Sequence, residues 1–452
     1  MKKSKHLTLI EHSYIGIAEE PHEENGNIFV TKSTFEQLEG FVLNCNPEQT
    51  GNFLKLATRG GRKVIVAQNH VGIIETKDGT SIEILPKIHK AGIADSRRIL
   101  LGMLKYLKDT PFKQTDFANL KTDKVPLLEI FISMFLNELS KLVKRGMKAD
   151  YILISENTSY LKGSINWPQH IKQNLVHKER FFINYDSYVT DRAENRLIKS
   201  TLIFLKNKTR RLNNQKLISE FLFVFDEICE SSDVNSDFSK VKTDRTMADY
   251  ERVLKWVKTF LMNESFTSFK GHDIAFALLF PMERVFEGYV AAFLRKNLPD
   301  LQISTQKSDH WLVDNHKNFG KFRLRPDIVI KIDDERVVII DTKWKIIDQN
   351  ASSKNYLISL SDMYQLFAYG KKYSQNNNQS VSLILMYPFT ESLTENLPPF
   401  HYCCGTSETE NLCLKVIPFD ISKSFCNDGS VIEFLNCTMS LRMISNLSLC
   451  DK

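Results

Sequence analysis

The segment Arg325-Pro326-Asp327-Ile328-Val329-Ile330, followed after a polar break by Val337-Val338-Ile339-Ile340-Asp341-Thr342-Lys343, constrains the fold more than any other. The two apolar runs read as adjacent strands, and Ile332-Asp333-Asp334-Glu335 reads as the turn between them. Side chains alternate faces along a strand, so Asp341 and Lys343 share one side while Thr342 points to the other. If the first strand folds back beside the second, Asp327 comes close to Asp341. Two carboxylates and an ammonium group at the end of a buried sheet are costly unless something compensates them. A divalent cation held by oxygens would do so, with the lysine facing a phosphate or a metal-bound water. An Asp-x-Lys triplet alone is most often a surface pair. Here it follows four apolar residues and lies beside a strand that starts with Pro-Asp, which favours chemistry at Asp327, Asp341 and Lys343.

A chain of 452 residues is too long for one ordinary domain, and two or three are expected. Its 42% hydrophobic and 25% charged residues match a globular protein outside the membrane. The net charge of +6 is compatible with nucleic acid but does not argue for it unaided. The 8 cysteines are scattered apart from Cys403-Cys404, and none forms a Cys-x-x-Cys pair. That spacing argues against a structural zinc site and fits reduced thiols in a cytoplasmic protein. Glu11 and His12 interrupt the first apolar run, so no signal peptide is expected. No stretch is apolar enough to span a bilayer.

The expected organisation is an α/β and α+β multidomain chain in three segments. Residues 1–95 are expected to form a β-rich domain, residues 96–270 a mainly helical middle, and residues 271–452 an α/β or α+β layer with a mixed central sheet, which the resemblance given below implies is restriction-endonuclease-like. In the first segment, Lys77-Asp78-Gly79-Thr80 predicts a hairpin turn between Ile73-Ile74 and Ile82-Glu83-Ile84-Leu85. Gly60-Gly61-Arg62-Lys63 lacks phosphate-loop spacing and reads as a basic turn. In the middle, Leu128, Phe131, Phe135, Leu139 and Leu142 trace a buried helix face that ends near Gly146. A second helix is expected over Ala193 to Lys206. The basic run Lys206, Lys208, Arg210, Arg211 and Lys216 reads as a solvated helix end and loop, with backbone phosphate as the alternative contact. In the last segment the pattern predicts a helix from Phe276 to Lys296 and strands over Phe322–Lys331 and Arg336–Lys345. A helix over Leu360–Lys372 follows, then strands over Val381–Tyr387 and Leu414–Ile421. A terminal helix is expected near Val431 to Ser445.

Pro326-Asp327 with Asp341-Thr342-Lys343 resembles the PD-(D/E)xK nuclease superfamily. Gln365 and Tyr369, four apart on one helix face, resemble the Q-x-x-x-Y element of its RecB-like branch. The resemblance implies Asp327, Asp341 and the Thr342 carbonyl as oxygen ligands of Mg²⁺, with Mn²⁺ as an alternative. Lys343 would orient or deprotonate the attacking water and stabilise the transition state. Gln365 and Tyr369 would position the metal shell or the scissile phosphate. Glu287 on the preceding helix would bind the ion directly or through water, with Glu283 as the alternative. Without that resemblance, Tyr369 reads equally as core and Glu287 as an exposed helix acid. Trp344 reads as core beside the site. His310 and His316 lie in a polar stretch with no strand or helix signature and are left out of it.

Further motifs are similar to McrC proteins. They include Arg145-Gly146-Met147, Asp150-Tyr151, Glu156-Asn157, Leu161-Lys162-Gly163-Ser164-Ile165, Tyr185-Asp186 and Asn195-Arg196-Leu197-Ile198-Lys199. Ile82 to Ile88, Tyr364-Gln365-Leu366 and Leu385-Met386-Tyr387-Pro388 extend the match over roughly residues 70 to 420. The resemblance implies the nuclease subunit of a modification-dependent restriction system. Its partners would be a McrB-like AAA+ GTPase hexamer and double-stranded DNA carrying modified cytosine, with GTP acting only through the partner and no membrane involved. The N-terminal domain and helical middle would contact the ring. The chain has no Walker A motif, which agrees with a motor on another polypeptide. Lys162 departs from the family's usual arginine, and lysine cannot form the same bidentate fork. Two other functions are compatible with the sequence: a non-catalytic activator of the GTPase ring, and a stand-alone nuclease.

Overall fold

The computed structural model describes residues 6–44, 53–89, 91–107, 110–114, 125–241, 247–262, 274–375, 380–402 and 412–424. The helix expected near Val431 to Ser445 and the pair Cys403-Cys404 lie outside the described residues. The chain forms two compact units: Met1–Lys124 together with Phe266–Lys452, and Val125–Ser265.

The first unit opens with β1 (His6–Ile10), β2 (Tyr14–Ile17), β3 (His22–Glu24), β4 (Asn27–Val30) and α1 (Lys32–Asn44). β5 (Leu54–Arg59), β6 (Arg62–Ala67), β7 (His70–Thr76), β8 (Ser81–Leu85) and α2 (Ile93–Leu104) follow. The Asp-Gly turn joins β7 to β8 as expected, and Gly79 takes φ +86°, a backbone state that glycine reaches without strain. One sheet has the order β3-β4-β2-β6-β5.

In the second unit, α3 (Leu127–Arg145) buries the predicted stripe and ends at Gly146 with φ +97°. β9 (Asp150–Thr158), β10 (Ser164–Ile165), α4 (Trp167–Asn174) and β11 (Phe181–Val189) come next. α5 (Ala193–Lys206), α6 (Leu212–Val224), α7 (Val234–Lys240) and α8 (Ala248–Leu261) complete the unit. The mainly helical expectation therefore missed a three-stranded antiparallel sheet, β10-β11-β9. Its strands expose apolar side chains such as Tyr151, Leu153 and Tyr188, so no clean alternation of buried apolar and exposed polar residues marks them. Two motif residues are structural here. Buried Asn195 donates to the carbonyls of Lys148 and Thr190 and accepts from Tyr250 Oη. Lys162 places Nζ 3.9 Å from the Tyr185 ring centre, a cation–π contact that needs no guanidinium fork.

The chain then returns to the first unit with β12 (Ile274–Pro281) and α9 (Met282–Asn297). The single helix expected from Phe276 is thus a strand followed by a helix. A short buried apolar run has no periodicity that separates the two states. β12 completes a second sheet, β1-β8-β7-β12, so segments more than 180 residues apart in sequence share one core. Gly72 permits this pairing: a Cβ there would overlap the Leu278 carbonyl. The three-segment division therefore differs from the two units observed, because the first and last segments close one sheet.

β13 (Gln302–Thr305), β14 (Trp311–His316), β15 (Phe319–Arg323), β16 (Ile328–Lys331) and β17 (Arg336–Thr342) follow. α10 (Leu360–Gln375), β18 (Ser380–Pro388), β19 (Phe400–Tyr402), β20 (Leu412–Phe419) and α11 (Ile421–Ser424) end the described chain. The predicted strand over Phe322–Lys331 is split, because β15 belongs to a hairpin with β14 and β16 starts only at Ile328. His316, expected in irregular chain, ends β14, and His310 packs on Tyr373 with ring centres 4.3 Å apart.

The mixed sheet β13-β16-β17-β18-β20-β19 positions the candidate site. β17 runs antiparallel to β16 and parallel to β18. On one face Val329, Val337, Ile339, Leu383 and Leu385 pack with Leu366, Tyr369 and Tyr373 of α10. On the other, Phe419 meets Phe286, Tyr289 and Phe293 of α9. Each fully buried aliphatic side chain in these layers contributes about 1.5–3 kcal/mol.

Candidate functional site

Two periodicities create the site. β16 pairs Ile328 with Ile340, so continuing the antiparallel register sets Asp327 opposite Asp341. Asp327 shares the face of Val329, and Asp341 the face of Val337 and Ile339. Both carboxylates therefore emerge on the α10 side of the sheet, at the edge where β17 ends.

Asp341 is fully buried. Neither of its carboxylate oxygens has a hydrogen-bond partner among the described residues. Lys343 Nζ lies 2.5 Å from Oδ2 as an ion pair that lacks hydrogen-bond alignment. Burial, reinforced by the Asp327 charge, pushes the Asp341 carboxyl up to about 7. Asp327 is better provided for. Its Oδ2 accepts from both the amide and the hydroxyl of Thr342, each at 2.8 Å, and Oδ1 accepts from Gln306 Nε2 at 3.1 Å. Burial still raises its carboxyl, against the lowering effect of the Thr342 bonds. Burial works against the Lys343 ammonium as well, but the Asp341 carboxylate outweighs it and holds the lysine above its ordinary range.

α10 supplies the next layer. Lys343 Nζ donates to Gln365 Oε1 at 3.2 Å, and Gln365 Nε2 donates to Tyr369 Oη at 2.7 Å. Tyr369 Oη donates in turn to the Arg325 carbonyl at 3.1 Å. The four-residue spacing thus forms a relay from the chain entering β16 to the ammonium group. Burial pushes the Tyr369 phenol up to about 12, so it remains a donor at neutral pH.

Asp327, Asp341, Thr342, Lys343, Gln365 and Tyr369 are brought together. Glu287 is joined to them at one remove: Gln306 Nε2 donates to Glu287 Oε1 at 2.8 Å and also to Asp327. Glu283 instead accepts from Asn69 Nδ2 at 2.8 Å. Sequence reasoning missed Gln306, Asp362 and Glu11. Gln306 reaches the site because its amide donates to the Asp327 carbonyl as β13 pairs with β16. Asp362 accepts from Lys345 Nζ, and Glu11 accepts from the Trp344 indole. None of the three sits in a motif. Only the position of Asp362, three residues before Gln365 on the same helix face, offered a local signal.

Among the described residues no group of three or more His, Cys, Asp or Glu side chains is arranged to hold an ion. A hard cation needing one or two carboxylates, with the rest of its shell from carbonyl and water oxygens, still fits. The fit rests on the buried Asp341 oxygens, which accept no aligned hydrogen bond, and on Asp327 opposite them in register. Among the described residues no helix is long and apolar enough to cross a membrane.

Comparison with known proteins gives three findings. A family model described as McrBC 5-methylcytosine restriction system component matches residues 65–388. A chain from a Thermococcus gammatolerans structure, described as a half-complex from a tetradecameric assembly of McrB AAA+ hexamers with bound McrC, shares the fold. It aligns at TM-score 0.65 and 18% identity, covering 95% of this chain and 100% of that one. A chain from the cryo-EM structure of the same organism's McrBC complex aligns over 65% of this chain and 88% of that one, at TM-score 0.49 and 19% identity. No curated protein matches the sequence.

Proposed function

Since the chain belongs to the McrBC 5-methylcytosine restriction system component family, we propose that it is the McrC-type subunit of such a system: a Mg²⁺-dependent DNA endonuclease with a PD-(D/E)xK site. One observation carries this reading. A fully buried carboxylate, Asp341, accepts no hydrogen bond while an ammonium group stands 2.5 Å away and a second carboxylate lies opposite in register. Two buried carboxylates that share a single ammonium group are costly as a structural feature, so the arrangement favours a further positive charge.

Asp341 and Asp327 are the carboxylates that would hold Mg²⁺, with the Thr342 carbonyl as a third oxygen. When bound, the ion polarises the phosphate and acidifies a coordinated water. Thr342 fixes Asp327 by bonding one of its oxygens twice. Lys343 stabilises negative charge building on the phosphate, and Gln365 holds its ammonium in place. Tyr369 positions Gln365 by anchoring it to the Arg325 carbonyl. Glu287 acts through Gln306 on Asp327.

The proposed partner is a McrB-like AAA+ GTPase hexamer. The fold shared with a structure of McrB hexamers with bound McrC supports this, as does the absence of a Walker A motif. The test is a cleavage assay with the cognate GTPase, GTP, methylated or unmethylated DNA, and Mg²⁺ or EDTA. The wild type should cut methylated DNA only with Mg²⁺. Asp341→Asn should lose cleavage while still stimulating GTP hydrolysis. Cutting by Asp341→Asn would sink the assigned site.

A further inference from the structure

Between Gln306 and Arg325 the chain leaves the mixed sheet and returns to it as the ribbon β14-β15, which pairs with no third strand among the described residues. Both ends of this excursion touch the candidate site. Gln306 Nε2 donates to Asp327 Oδ1 at 3.1 Å, and the Arg325 carbonyl accepts from Tyr369 Oη at 3.1 Å. Whatever the ribbon touches therefore lies beside the phosphate that Lys343 would meet.

The ribbon is built to hold its shape. At its base the Leu324 amide donates to the His310 carbonyl at 2.9 Å, and Arg323 Nε donates to the Ser308 carbonyl at 2.7 Å. His310 packs on Tyr373 of α10, and Asp314 pairs with Lys372 of the same helix at 2.6 Å. Arg323 lies over the Trp311 ring, 5.4 Å from its centre, and a Cβ at Gly320 would overlap that indole. The tip is a tight turn with Lys317 at φ +52° and Asn318 at φ +69°, closed by the Asn318 amide donating to Asn315 Oδ1 at 3.0 Å.

Its surface carries an excess of cations. From Gln306 to Arg325 there are five basic and two acidic side chains. Both acids are already matched, Asp309 by Lys307 and Asp314 by Lys372. Lys317, Lys321, Arg323 and Arg325 are exposed and have no acidic partner among the described residues. Large apolar side chains stand among them: Phe319 is 71% exposed and Phe322 73%. Phe322 also has φ +56°, a backbone state that bulky residues rarely adopt, and no burial offsets it. Lysines on an open strand edge guard against stray pairing, but that role leaves the two phenylalanines unexplained. A second copy of the chain, itself at net charge +6, is a poor match for the cations.

Duplex DNA accounts for both features. Its phosphates take up unmatched cations, and its grooves accept apolar side chains against sugars and base edges. Paired strands lie about 4.8 Å apart, and a two-stranded ribbon fits a major groove about 12 Å wide. We infer that β14-β15 is the arm that seats duplex DNA at the site, with Lys317 and Lys321 on backbone phosphates and Phe319 in the groove. The inference rests on the nuclease reading and adds to it the surface that holds the substrate. Sequence reading had set His310 and His316 aside as part of a polar stretch, and the ribbon that contains His316 is the element it overlooked.

The test uses the full chain in EDTA, a short fluorescent duplex and its single strand, with Kd read by anisotropy from low salt upward. Lys317 and Lys321 are exposed, so the double variant Lys317→Ala, Lys321→Ala should leave the unfolding transition in place. It should weaken duplex binding about tenfold and reduce the slope of log Kd against log salt by up to ~1.8, the loss of two phosphate contacts. Phe319→Ser should weaken binding about threefold with the slope unchanged, because it removes surface and no charge. No duplex binding by the wild type at low salt would overturn the arm, as would wild-type affinity and slope in the double variant. Tighter binding of the single strand than of the duplex would overturn the groove seat. Unchanged duplex binding with lost stimulation of GTP hydrolysis in the double variant would assign the ribbon to a protein partner instead. Binding in EDTA involves no chemistry, and cleavage by Asp341→Asn tests the nuclease reading separately, so failure of the arm and failure of the site are distinguishable.

Discussion

Glu129 in the helical unit and Asp341 at the sheet edge are both buried acids in the same protein, yet they are treated in opposite ways. Glu129 accepts from Thr209 Oγ1 at 2.7 Å, Arg210 N at 2.6 Å, Arg211 N at 3.2 Å and Asn214 Nδ2 at 2.7 Å. It closes the start of α6 against α3, and Ser133 bonds Asn214 to complete the cluster. Asp341 accepts no hydrogen bond and keeps only its ion pair with Lys343. A satisfied buried acid holds elements together, because its donors would otherwise be stranded. An unsatisfied one stores free energy that an incoming ligand can release.

This contrast can be tested from both sides. The largest effect should come from Lys343→Ala. It should lower single-turnover cleavage with the GTPase partner about 10²–10³-fold, roughly 3–4 kcal/mol at the transition state, and leave the denaturation midpoint near wild type. Normal turnover would remove the lysine from the chemistry. Glu129→Ala should do the reverse, lowering stability by about 3 kcal/mol in urea titration without changing cleavage per folded molecule. A loss well under 1 kcal/mol would break the comparison, since the cluster would then be dispensable.

The smallest effect sharpens it through pH. The folded Asp341 carboxyl sits at about 7 against an ordinary 3.8, so the folded state keeps a proton that the unfolded chain releases. Its contribution is therefore fully present below about pH 4 and is lost as pH rises through about 7. In EDTA, Asp341→Asn should flatten the fall of Tm over that window and match or exceed wild-type stability at pH 8 by about 1 kcal/mol. An unchanged slope would assign the fall to other groups, with Glu11, also raised by burial, the next to substitute.

The candidate site was more legible in the sequence than the domain plan was. Asp327, Asp341 and Lys343 were readable because a strand's period of two fixes which side chains share a face. Gln365 and Tyr369 were readable as a pair for the same reason on a helix, although their relay to the Arg325 carbonyl was not. The helix over Ala193–Lys206 was correctly bounded. Failures cluster where local pattern carries no information. Ile274–Pro281 became a strand because β7 lay waiting for it. β9 and β11 pair along their length with side chains too mixed to announce a strand. Gln306 bridges two acids from an unremarkable stretch.

Residue order alone determined that two acids and an amine would line one edge of a sheet, since backbone geometry converts spacing into direction without reference to the rest of the chain. Tertiary structure alone decided which of those acids would go without hydrogen bonds, and that Glu11 would bond the indole next to Lys343 across more than 300 residues of sequence. Satisfaction of a buried charge depends on neighbours brought in by chain reversals, and nothing in a local pattern names those neighbours.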